Sequence, residues 1–119
     1  MCLIIASQMT EAMNGRIRLL PSAPTVAAIS VGQWATVMDA DMFVVAPVLS
    51  WHPSPPRPAG WPGRLRWICF ASAGVDFYPR WLLEVPLLTC ARGVASEEIA
   101  DYVMAAIYLP RCWTVKVTL

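Results

Sequence analysis

Leu65-Arg66-Trp67-Ile68-Cys69-Phe70-Ala71-Ser72-Ala73-Gly74-Val75-Asp76 is the stretch whose reading decides the fold. An apolar run from Arg66 to Ala71 leads directly into a turn of small residues around a glycine. The run is continuous, not alternating, as expected of a parallel strand covered on both faces. In the turn that follows, glycine lets the backbone approach a partner closely.

Working outward, the same kind of unit recurs. Cys2 to Ala6, Thr25 to Val31, Met42 to Val48 and Pro86 to Cys90 are further short apolar runs and predict four more strands. Gln8 to Leu20 is mixed, with a helix start at Thr10. Gly32 to Ala40 predicts a short helix, and Asp41 begins the turn into the third strand. Strand and helix in alternation predict an α/β fold: an open, mostly parallel, flavodoxin-like sheet of about five strands with flanking helices. Its crossovers should be right-handed.

The clearest helix is predicted over Glu97 to Leu109. Ser96 suits the N-cap, and Glu97 and Glu98 fall in the first turn, where the macrodipole favours negative charge. Ile99, Tyr102, Val103, Ala106 and Ile107 form a stripe at helical spacing, which predicts a core-facing side. Pro110 is expected to stop the helix. Beyond it, residues 110–119 read as a tail, with strand-like alternation over Thr114 to Leu119. Between Ser50 and Gly63, prolines at 53, 55, 56, 58 and 62 make a stiffened surface loop. Trp51 and Trp61 should pack down onto the sheet, and a PxxP ligand for an adaptor domain is the weaker reading.

Composition narrows the function classes. Of 119 residues, 57% are hydrophobic and 14% charged, where an average domain has roughly 45–50% and 25%. So small a domain has little room to hide that much apolar surface, so a partner is expected. The net charge is +1 and the arginines are scattered. Nucleic-acid binding, which needs clustered basic charge, is not indicated. Cys2, Cys69, Cys90 and Cys112 stand too far apart for a CxxC pair, and His52 is the single histidine, so no metal site is expected. Cys69 and Cys90, inside apolar runs, read as buried thiols in a reduced, cytoplasmic protein. Leu19 to Met38 is free of charge but broken by Pro21, Pro24 and Gly32, unlike a membrane-spanning helix. The apolar start has no basic region before it and is too short for a signal sequence.

Chemistry, if present, sits beyond the carboxyl ends of the strands, where open α/β sheets bind ligands. After the fourth strand, two readings stand: an ordinary strand-to-helix turn, which on the residues alone is the commoner, or a site where the N–H groups of Ala73 and Gly74 grip a carboxylate, with Asp76 bracing the loop through its own amides. About twenty residues on, Thr89-Cys90-Ala91-Arg92-Gly93-Val94-Ala95-Ser96-Glu97-Glu98-Ile99-Ala100-Asp101-Tyr102-Val103 joins a strand to a glycine turn and a helix. The two segments, in this order and spacing, resemble the N-terminal substrate (catalytic) domain of the D-isomer-specific 2-hydroxyacid dehydrogenases. The resemblance is strongest over Trp61 to Tyr108.

That resemblance implies an NAD- or NADP-dependent oxidoreductase that exchanges hydride with a small 2-oxo or 2-hydroxy acid. It implies Ala73 and Gly74 as substrate-carboxylate contacts and Ser96 as a nicotinamide-side contact, with the helix after Ser96 forming part of the hinge to a nucleotide-binding domain. The glycines, at 15, 32, 60, 63, 74 and 93, do not form the Gly-x-Gly-x-x-Gly loop that seats a pyrophosphate. The family's catalytic arginine, glutamate and histidine come from that later domain. Arg92 and His52 match none of them, and His52 reads as a packed loop residue. The expectation is therefore a truncated substrate domain over residues 1–109, inactive alone and with no cofactor bound by this chain. The alternatives are a stand-alone α/β interaction module that forms a homodimer through its apolar helix face, and a receiver-like phosphoacceptor domain. For the last, Asp39 and Asp41 stand before a strand, not at its end.

Overall fold

The computed structural model describes residues 2–47, Trp51 and 54–112, with side chains as far as Tyr108. His52 and the segment 113–119, and with them the expected packing of His52 and the strand-like tail, lie outside the described residues. The elements are β1 (Ile4–Ser7), α1 (Glu11–Arg18), β2 (Thr25–Ala28), α2 (Trp34–Met38), β3 (Met42–Val45), β4 (Trp67–Phe70), a 3₁₀ turn (Arg80–Leu83), β5 (Leu87–Cys90) and α3 (Ser96–Cys112). The five strands form one parallel sheet in the order β2-β1-β3-β4-β5. This is the flavodoxin-like order of a doubly wound fold, with its reversal between β1 and β3.

The pleat sends alternate residues to opposite faces. On one face Ala6, Phe43, Val45, Ile68 and Phe70 lie in the main core. The proline-rich loop and the 3₁₀ turn cover them with aromatic rings. Trp51 is fully buried and Trp61 nearly so. Their rings meet Trp34 of α2 at centroid distances of 5.8 and 6.1 Å, and Trp81 stands 4.9 Å from Trp61. Three of these indole N–H groups have acceptors: Trp51 donates to the Ala46 carbonyl, Trp61 to that of Trp81, and Trp81 to that of Pro55. A proline-rich segment has few N–H groups with which to join a sheet. Packed side chains fix it instead.

On the other face, Ile5, Val26 and Val44 form a smaller cluster backed by Ile17 of α1. Thr10 caps α1, its hydroxyl accepting from the Met13 N–H. A buried polar pair ties the helix to β1: the Ser7 hydroxyl donates to Asn14 Oδ1 at 2.7 Å and accepts from the Met9 N–H. At the opposite end of the sheet, Asp41 Oδ2 accepts from the Ile4 N–H at 2.9 Å.

The structure corrects three expectations. Helix α3 runs through Pro110 to Cys112: the proline lacks an N–H, but its fixed φ is helical and only two more residues follow. The stripe on α3 is not core. Ile99, Tyr102, Val103 and Ile107 are 48–77% exposed, because no described element stands on that side of the helix. Cys90 is likewise exposed, since β5 is an edge strand with one neighbour among the described residues, and Cys69 of β4 is only half-buried because its side chain lines an open trough on the sheet face.

Candidate functional site

The carboxyl ends of β1, β3 and β4 stand side by side. The Gln8 N–H donates to the Val44 carbonyl, Ala71 to that of Val45 and Ala91 to that of Ser72. Gln8, Ala46, the turn from Ser72 to Asp76 and the turn from Arg92 to Gly93 therefore line one edge of the sheet. With strands about 4.8 Å apart, Gln8 lies roughly 10 Å from the Ser72 turn.

The turn after β4 is open. Ala73, Gly74 and Asp76 are exposed, and the N–H groups of Ala73, Gly74 and Val75 donate to no protein acceptor among the described residues. Asp76 makes no hydrogen bond there, so the expected brace is absent. Ser72 takes the role: its hydroxyl donates to the Gly74 carbonyl at 2.7 Å and lies 3.4 Å from the Tyr78 hydroxyl. The serine is the shorter reach, and the turn points the Asp76 carboxylate toward solvent. Tyr78 is buried; desolvation raises its phenol above the ordinary value of 10.0, and the Ser72 contact offsets part of that rise.

Beside this turn a hollow of about 540 Å³ is lined by Val75, Asp76, Tyr78, Arg80 and Leu83. Arg80 supplies one positive charge and Asp76 one negative, so their net field favours neither anion nor cation. The N–H groups of Ala73 to Val75 stand beside the hollow in the same turn, and free backbone N–H groups carry partial positive charge. Arg80 was not singled out in the sequence, and the hollow is visible only once the 3₁₀ turn folds beneath the loop.

Gln8 is the other residue missed by sequence reasoning. Its Oε1 accepts from the Ala46 N–H at 3.1 Å, while its buried Nε2 has no partner among the described residues. A polar Ser7-Gln8 pair ending an apolar strand, at the point where strand order reverses, was the available signal. Ser96 is the exposed first residue of α3, its N–H donating to the Gly93 carbonyl. It stands one strand beyond the Ser72 turn, on the same sheet edge. Asp39 and Asp41 lie at the opposite, amino end of the sheet, away from any phosphoacceptor position. Among the described residues no group of histidine, cysteine and carboxylate side chains could hold a metal ion, and no helix is long and apolar enough to cross a membrane.

The dinucleotide implied by the resemblance does not fit here. The turn between β1 and α1 is Ser7-Gln8-Met9-Thr10, without glycine, and Glu11 opens the helix. No glycine there allows the close backbone approach that a pyrophosphate needs at a helix N-terminus. Compared with models of protein families, with curated proteins and with solved structures, the chain matches none.

Proposed function

We propose that this chain acts as the substrate half of an NAD(P)-dependent oxidoreductase of the D-2-hydroxyacid dehydrogenase type. In this reading it holds a small 2-oxo or 2-hydroxy acid by its carboxylate and cannot transfer hydride alone. One observation carries the proposal: three consecutive N–H groups, Ala73 to Val75, without an acceptor among the described residues, at the carboxyl end of an inner parallel strand. Hydrogen bonds from backbone N–H to a carboxylate are charge-assisted and stronger than neutral ones. Ala73 and Gly74 make the primary contacts and Ser72 holds the turn in shape. Ser96 faces the nicotinamide side of a cleft whose opposite wall belongs to a separate nucleotide-binding domain. The chemistry of hydride transfer is the cofactor's, and no step of it is assigned to this chain's residues. A reduced, cytoplasmic setting accompanies this reading.

Amide chemical shifts of the labelled protein, titrated with pyruvate and glyoxylate, test it. Residues 73–75 should shift with millimolar affinity, and the corresponding primary amides should leave them unmoved. Ser72→Ala should weaken binding several-fold by loosening the turn, about 1 kcal/mol for one lost hydrogen bond. Silence at these amides would refute the carboxylate site. Oxidation of NADH by the isolated chain with either acid would refute its incompetence.

A further inference from the structure

Among the described residues nothing covers the apolar stripe of α3 or an apolar trough on the sheet, and the two match in character. The trough, about 460 Å³, has Ile5, Val44, Trp67 and Cys69 on its floor and Met13 and Ile17 of α1 along one wall. A parallel sheet of this class is covered on both faces, yet here α1 is the single described helix over this face. The order β2-β1-β3-β4-β5 places the empty strip over β3, β4 and β5, beside α1. That is where the helix following β5 lies when it folds back over its own sheet.

Here α3 does not fold back. The Ala91 N–H is held by the Ser72 carbonyl, Val94 bonds to Ala91 and Ser96 to Gly93, with Gly93 at φ 81°. This turn sends α3 away from the sheet, and Val94 remains in the trough's end wall.

We propose that two copies of this chain exchange their last helices, the stripe Ile99, Tyr102, Val103, Ala106 and Ile107 of one copy lying in the trough of the other. The dimensions agree. Ile99 to Ile107 spans about 12 Å at the helical rise, close to the roughly 13 Å of a four-residue strand. Three strands are about 10 Å across, the width of one helix. The exchange is reciprocal, each copy giving one helix and one trough across a two-fold axis. A second copy is favoured over refolding of the same helix because the hydrogen-bonded turn already directs α3 outward. The dimer does not depend on carboxylate binding, and either can fail without the other.

Sedimentation equilibrium of the chain, from low micromolar to submillimolar concentration, is the test. A dimer is expected. Val103→Asp on the helix and Cys90→Glu at the trough should each raise its dissociation constant at least tenfold. Both positions are exposed in a single copy, so circular dichroism should show the fold retained. A folded monomer throughout, or a dimer insensitive to either change, would overturn the exchange.

Discussion

At the scale of single residues, backbone conformation sets the sharpest constraints. Gly63 has φ 61°, and a Cβ there would stand 2.8 Å from Met38 Cβ and 2.9 Å from the Met38 carbonyl oxygen. Arg64 donates to that same oxygen at 2.8 Å, so neither side of the contact has room to move. Gly60 has φ 79° but nothing within 4 Å of its Cβ position. Gly60→Ala should therefore cost about 1 kcal/mol, the left-handed strain alone. Gly63→Ala should cost about 3 kcal/mol, strain and overpacking together. Urea unfolding of both variants measures the difference, and equal losses would show that the Met38 contact gives way freely. The glycines were visible in the sequence, but which one meets a backbone was not. That depends on β3's approach being folded against the far end of the proline-rich loop.

At the scale of elements, the aromatic cover illustrates how a loop becomes as fixed as a strand. Trp51 and Trp61 pack as expected from a proline-stiffened segment, and their partners Trp34 and Trp81 come from α2 and the 3₁₀ turn. Trp51→Ala removes a fully buried indole and leaves a large cavity over β3. A loss of about 3–5 kcal/mol is expected, with collapse of the near-ultraviolet dichroism; a loss below 1 kcal/mol would mean that the loop closes over the gap. The five strands and three helices were legible because continuous apolar runs and helical spacing are local signals. The fate of the α3 stripe was not. Periodicity shows that a face is apolar, whereas what covers it depends on the direction in which the chain leaves β5.

At the scale of the whole molecule, stability and site meet at Tyr78. Burial raises its folded-state pKa above 10.0. The neutral phenol is therefore favoured by folding, a contribution fully present below pH 10 and lost as pH rises through the higher folded value. Chemical stability should fall on entering that alkaline range, and Tyr78→Phe should flatten the fall. The same substitution should remove the highest-pH step from the tyrosinate absorbance titration. An unchanged titration would mean that Tyr78 ionises as freely as in water. Tyr78 touches Ser72, so this alkaline transition should also loosen the turn that presents the N–H groups of residues 73–75.

The sequence by itself determined the fold class, the order of strands and helices, and the glycine turn after β4, because hydrophobic period and turn chemistry act over a few residues. Tertiary structure alone decided that Ser72 and not Asp76 holds that turn, that Gln8 and Arg80 border the same edge, and that α3 stands clear of an empty trough. Those outcomes depend on distances between segments far apart in the chain, which no local pattern encodes.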